Sequence, residues 1–256
     1  MKAVGIIPAR LSASRFPNKP MALLHGMPMI GHCYHRTRLT TGLEATYVAT
    51  CDEQIAEYIR GIGGRAIMTS TSHTRATTRT AEALQHIERE TGEPVDIIVM
   101  VQGDEPLIRP ETIAETLIHF EDSSVQIVNV MSRLRTLEEF RDSNNVKVVV
   151  NKNRDALYFS REPIPSPWKG IEGVPMFMQT GIIAFRRHTL LNFIEAEETL
   201  LEQIESVDMN RVIENGGRIR MVLTEFETIG VDTIEELGKA EERLSNDPTL
   251  LQYFPE

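Results

Sequence analysis

Apolar residues along this chain gather in short runs separated by amphipathic stretches. The runs at residues 3–7, 45–49, 65–68, 97–101 and 126–131 have the length and composition of buried strands. Between them, residues 28–39, 53–61, 77–90 and 110–120 carry helical periodicity, with Gly42, Gly63 and Gly92 as stops. Strand and helix in strict alternation predict an α/β fold with a mostly parallel sheet covered on both faces.

After residue 131 the rhythm changes. Residues 146–150, 179–185 and 218–223 read as strands across longer connections, and residues 201–214 and 233–244 read as closing helices. This half is expected to complete the sheet and to carry an insertion. Residues 162–175 contain Pro163, Pro165, Pro167, Gly170, Gly173 and Pro175, so they form a loop, expected to move, around the only tryptophan, Trp168. We expect one domain over residues 1–256, with halves at 1–131 and 132–256 and no internal repeat.

Composition narrows the partners. The formal charge of −10 over 256 residues argues against nucleic acid, which needs clustered positive charge. Any anionic substrate must be held by a local group of cations. Cys33 and Cys51 are too few for a disulfide framework and lack zinc spacing, which points to the cytoplasm. The opening MKAVGIIPAR reads as a strand rather than a signal peptide, and no stretch of about 18 apolar residues is available to span a membrane.

The strongest chemical signal follows the first strand. Pro8, Ala9, Arg10, Leu11, Ser12, Ala13, Ser14, Arg15, Phe16, Pro17, Asn18, Lys19 and Pro20 form a loop at the carboxyl end of a central strand, where open α/β sheets bind ligands. Small residues let backbone N–H groups approach phosphate oxygens, and two arginines and a lysine supply charge. The alternative is a solvated basic loop. Neither GxxxxGK[ST] nor GxGxxG occurs, so the phosphate site is of another kind.

A second apolar strand ends in Gln102, Gly103, Asp104 and Glu105, which puts Asp104 beside that loop. Asp232 ends another apolar approach, either as a second carboxylate for a cation or as the cap of the helix that follows. Magnesium takes one or two protein carboxylates and completes its shell with phosphate and water. Paired acids facing a basic phosphate loop suit phosphoryl or nucleotidyl transfer, in which positioning and charge stabilisation do most of the catalysis.

At these residues the chain resembles the 3-deoxy-manno-octulosonate (Kdo) cytidylyltransferases, nearly from end to end. The family patterns IPARxxSxRxPxKPL, VQGDEP, NxVKVV, ALYFSRxxIP and GVDTxEDL stand here as residues 7–20, 101–106, 145–149, 156–165 and 230–237. The resemblance implies a Rossmann-like, three-layer α/β nucleotidyltransferase fold of the nucleotide-diphospho-sugar transferase type, with a small acceptor and dimerisation region. It implies attack of a sugar acid's anomeric hydroxyl on CTP, release of pyrophosphate, a magnesium cofactor and a homodimer. Arg10, Arg15, Lys19 and Asp104 would be the catalytic set. Pro8, Ala9, Arg10, Ser12, Ser14, Lys19, His73 and Gln102 would hold the nucleotide, and Asp104 and Asp232 the metal.

The acceptor side departs from the family. Its HxSGT[DE]R loop stands here as His73, Thr74, Arg75, Ala76, Thr77, Thr78 and Arg79, and its HxGxYAYR strand begins with Gln179. The ESLEQLR segment reads Glu205, Ser206, Val207, Asp208, Met209, Asn210 and Arg211, so Met209 stands where a glutamine would face the sugar. The acceptor would then meet Arg15, Arg75, Arg79, Gln102, Gln179, Asp208 and Met209. Thinning the polar partners suggests a different anionic acid, such as a modified Kdo or a phosphonate, against the alternative of a divergent member using other side chains. Arg75 beside Arg79 would clamp a second negative charge, unless Arg75 is simply a surface arginine.

His32 and His35 at i, i+3 on the first helix lack a third metal ligand and read as packing or surface residues. Cys51 has no basic neighbour to activate it, and the glutamates from Glu195 to Glu205 read as a solvated face.

Overall fold

The computed structural model describes residues 1–12, 16–226 and 229–254. Its first part runs β1 (Ala3–Ala9), the two-residue strands β2 (Leu23–Leu24) and β3 (Met27–Pro28), α1 (Met29–Arg38), β4 (Ala45–Thr50), α2 (Glu53–Gly61), β5 (Arg65–Met68), α3 (Ala76–Thr91), β6 (Ile97–Val101) and α4 (Pro110–Ile118). It continues with β7 (Ile127–Arg133), α5 (Leu137–Arg141), β8 (Lys147–Val150), β9 (Ala156–Ser160), β10 (Phe177–Arg186), α6 (Arg187–Glu195), α7 (Leu200–Glu205), α8 (Met209–Glu214), β11 (Arg220–Leu223) and α9 (Ile234–Leu244).

The main sheet has the order β11-β7-β10-β6-β1-β4-β5, with β8 and β9 paired beyond β10. All neighbours along this path are parallel except β10, which runs antiparallel between β6 and β7. The expected mostly parallel α/β sheet is therefore present.

Alternation along each strand divides the core into two layers. Val4 and Ile6 of β1 face the side covered by Leu84 and Ile87 of α3 and Phe193 of α6. Ala3 and Ile7 face the side covered by Ile30 of α1, Ile55 of α2 and Ile113 of α4. A smaller cluster of Leu24, Met29, Val231 and Leu244 fastens α9 beside the first loop. Among the described residues, no helix is long and apolar enough to cross a membrane.

Expectations for the second half need correction. Glu202, read as part of a solvated face, is buried and paired with Arg211 at 2.6 Å. The helix read over 201–214 is two helices, because Ser206 adopts a left-handed backbone (φ 52°) between α7 and α8. The apolar pattern is continuous across that elbow and gives no sign of it. Helix α6 was not anticipated, although its buried residues Leu190 and Phe193 have helical spacing.

Candidate active site

β1 and β6 are parallel neighbours, so the loops leaving their carboxyl ends lie side by side. The first loop is pinned at both ends. Leu11 N–H donates to the Asp52 carboxylate at 2.8 Å, and Asn18 N–H donates to the Leu11 carbonyl at 3.2 Å. Lys19 then enters a single 3-10 turn, which directs its ammonium back across the cleft. Ser14 and Arg15 lie outside the described residues.

Lys19 Nζ donates to Asp104 at 2.7 Å and to Asp232 at 2.8 Å. Burial works to lower the pKa of this ammonium, but the two carboxylates outweigh it and hold the group above its ordinary value. Val231 N–H donates to the Asp104 carbonyl at 2.9 Å, tying the segment before α9 to the end of β6. Asp232 is not the cap of α9. Thr233 takes that position, its hydroxyl accepting from Glu236 N–H, which leaves the Asp232 carboxylate directed into the cleft. The two carboxylates thus converge on one cation, a hard-oxygen arrangement that fits magnesium.

Two cavities meet at this point. One, about 330 Å³, is bordered by Pro8, Ala9, Arg10, Lys19, His73, Arg79, Gln102, Asp104 and Asp232. The other, about 380 Å³, is bordered by Gln102, Asp104, Asn145, Arg161, Gln179, Asp208 and Asp232. Arg75 lies on the rim of both.

Several anticipated residues take other positions. Ser12 is exposed and lines neither cavity. Met209 is 1% exposed and packs in the hydrophobic core, because the first turn of α8 faces the sheet rather than the cleft. Arg79 borders only the first cavity and is spent on the 69–73 loop, donating to Thr69 Oγ1 at 2.5 Å and to the Ser70 carbonyl at 3.4 Å. The clamp of Arg75 with Arg79 does not form. Arg75 instead pairs with Asp208 at 3.1 Å. Desolvation raises the Asp208 pKa, against the opposing effect of Thr77 and Arg75. His73 hydrogen-bonds Glu82, and its carbonyl accepts from Arg10 at 3.4 Å.

Three supports of the site are not among the residues expected from sequence. Glu105 is buried, accepts from Gly181 N–H through Oε1 and has no hydrogen-bond partner at Oε2 among the described residues. Desolvation carries its carboxyl up to about 7. Lys147, also buried, donates to the carbonyls of Asp142 at 2.8 Å and Asn145 at 2.6 Å, shaping the wall of the second cavity. Asn129, 0% exposed in β7, binds the carbonyls of β10. A polar residue at the centre of the apolar run at 127–131 was the available signal for Asn129.

A parallel sheet whose strand ends carry a basic loop facing paired carboxylates defines a nucleotidyltransferase. Residues 4–224 match the cytidylyltransferase family. The 3-deoxy-manno-octulosonate cytidylyltransferase of Geobacter metallireducens is 42% identical over 96% of this chain and 98% of its own length. That of Trichlorobacter lovleyi is 41% identical over 95% and 99%. The structure of CMP:2-keto-3-deoxy-manno-octonic acid synthetase complexed with CTP superposes with a TM-score of 0.87 at 36% identity, covering 96% of this chain and 99% of that one. The chain belongs to the 3-deoxy-manno-octulosonate cytidylyltransferase family, as its ordered motifs implied.

Proposed function

We propose that this chain transfers CMP from CTP to a sugar acid of the Kdo type, releasing pyrophosphate, and that it works with magnesium as a homodimer in the cytoplasm. The observation that carries this reading is the convergence of Lys19, Asp104 and Asp232 on the shared rim of two cavities. The triphosphate fits the cavity bordered by Arg10 and Lys19, whose charges match phosphate oxygens. The acceptor fits the cavity bordered by Arg161 and Gln179, and the two substrates meet at the rim.

There the anomeric hydroxyl oxygen forms a bond to the α-phosphorus as the bond to the bridging β-phosphate oxygen breaks. Pyrophosphate leaves with that electron pair, and the hydroxyl proton passes to solvent. Asp104 and Asp232 would hold magnesium, which when bound neutralises phosphate charge and lowers the pKa of the attacking hydroxyl. Lys19 is then free of its two carboxylates and able to turn its ammonium to phosphate. Arg75 gives no support to an acceptor with an extra anionic group, because Asp208 already matches its charge.

Leu157 of β9 and Leu200 and Ile204 of α7 are 55%, 67% and 68% exposed, and Tyr158 of β9 hydrogen-bonds Glu205 of α7 at 2.9 Å. These exposed apolar side chains, on two elements joined by that contact, support the homodimer, and sedimentation at twice the 28.9 kDa chain mass tests it. The catalytic reading is tested by pyrophosphate release from CTP, magnesium and Kdo. Stoichiometric pyrophosphate and CMP-sugar are expected. CTP binding without turnover would instead make the chain a nucleotide-binding module.

A further inference from the structure

β10 carries an irregularity between Gln179 and Ile183 where it passes the second cavity. Its backbone there is gripped from two sides. Asn129 Nδ2 lies 3.2 Å from the Thr180 carbonyl, 2.8 Å from the Ile182 carbonyl and 3.1 Å from the Val130 carbonyl. On the other side, Gly181 N–H donates to Glu105 and the Gly181 carbonyl accepts from Gln102 N–H at 3.0 Å.

Three carbonyls around one amide atom fix its identity. Reversing Asn129 would set its oxygen against all three, with no donor to satisfy them in a fully buried site. Asn129 Oδ1 therefore points the other way, and it lies 2.7 Å from the Gln179 amide. Only a donor satisfies that contact, so Gln179 must present Nε2 to Asn129. Its remaining amide atom, Oε1, is a hydrogen-bond acceptor on a residue that lines the cavity.

We infer that Gln179 is a specificity residue that requires a hydrogen-bond donor, a hydroxyl of the acceptor, and that Asn129 is the positioning residue that sets this polarity. The inference rests on the reading of this cavity as the acceptor site. A carboxylate or phosphonate directed at Gln179 would oppose its oxygen and be rejected. A hydroxyl would be read with the discrimination that an otherwise unpaired polar group provides.

The test uses Kdo analogues in which each hydroxyl in turn is replaced by fluorine, which cannot donate, with pyrophosphate release as the readout. In the unaltered protein one position should lose about tenfold or more in kcat/KM. In Gln179→Met the parent acceptor should lose a similar factor through KM, with KM for CTP unchanged, and the sensitive fluoro analogue should lose nothing further. Asn129→Leu should behave likewise. Where that buried change prevents folding, Gln179→Met decides alone, since its side chain is only half-buried. Turnover of Kdo with a fluoro profile that Gln179→Met leaves unchanged overturns the inference and leaves the proposed function standing. Absence of turnover with any acceptor overturns both.

Discussion

Arg75 donates to Asp208 across 3.1 Å, joining the start of α3 to the elbow between α7 and α8. The same guanidinium reaches Ser206 Oγ at 3.3 Å, so one side chain holds the rim shared by both cavities. Asp208 is also hydrogen-bonded by Thr77, which makes the contact a small network rather than an isolated surface pair.

Arg75→Ala is expected to raise KM for the acceptor about tenfold, with a smaller effect on CTP. It leaves a desolvated carboxylate unpaired at the cavity wall. Because the pair is only partly buried, its coupling in a cycle of Arg75→Ala, Asp208→Asn and the double variant should be about 1 kcal/mol by urea denaturation. Additive losses would mean that the two side chains do not cooperate.

Asp104→Asn should reduce turnover by about a thousandfold or more, since it removes one of two charges at the reacting phosphate. Stability should change by less than about 1 kcal/mol, because Asp232 still pairs with Lys19. Single-turnover pyrophosphate release and thermal melting separate the two quantities. Near-normal turnover would remove Asp104 from the chemistry.

Lys19→Met exposes the opposite side of this arrangement. Without the ammonium, two carboxylates that now share one partner confront each other, and the apo variant should lose about 1–3 kcal/mol. Magnesium should then raise its melting temperature more than that of the unaltered protein. Equal shifts in the two proteins would argue that the carboxylates do not hold the metal.

The parts of this site that are legible in sequence are those set by local chemistry. Arg65–Met68 and Ile97–Val101 were bounded correctly by apolar runs alone, and Gly92 ends α3 with the positive φ of 70° that its place suggested. The loop ending at Lys19 and the acid after β6 announced themselves through charge beside a buried strand. What escaped was set by distant partners. Met209 aligns with a sugar-facing position but turns to the core, and Asn129 owes its role to carbonyls about 50 residues further along the chain. Ser206 breaks a helix whose apolar spacing is unbroken.

His32 supplies a pH dependence away from the chemistry. It is fully buried in α1, with Nε2 2.9 Å from the Leu24 carbonyl and Nδ1 2.8 Å from the Tyr253 hydroxyl. Burial depresses its pKa from 6.5 to about 4, so folding favours the neutral ring. Its contribution is complete above the unfolded value of 6.5 and is lost as pH falls towards 4, amounting to about 3 kcal/mol. The difference in urea stability between the unaltered protein and His32→Gln should shrink over that interval and stay constant between pH 7 and 8. A difference that is flat from pH 4 to 7 would contradict a neutral buried imidazole.

Gly181 packs against Gln102, which borders both cavities. A methyl group added there would fall 2.7 Å from Gln102 Cβ and 2.8 Å from Glu105 Oε1, closer than such contacts allow. Neither neighbour has a free direction of retreat. Glu105 is buried and hydrogen-bonded to Gly181 itself, and Gln102 begins the turn that carries Asp104. The overpacking in Gly181→Ala should cost about 1–3 kcal/mol of stability. Displacement of Gln102 and Glu105 is carried directly to Asp104 between them, so kcat should fall about a hundredfold, the penalty expected for a misplacement of about 1 Å. KM for CTP should change less than kcat, because Arg10 and Lys19 approach from the other loop. Steady-state kinetics with a parallel melting curve makes the distinction: loss of kcat in a variant still folded at the assay temperature places the effect in the alignment of Asp104, whereas activity that merely tracks the folded fraction would reduce Gly181 to a packing residue.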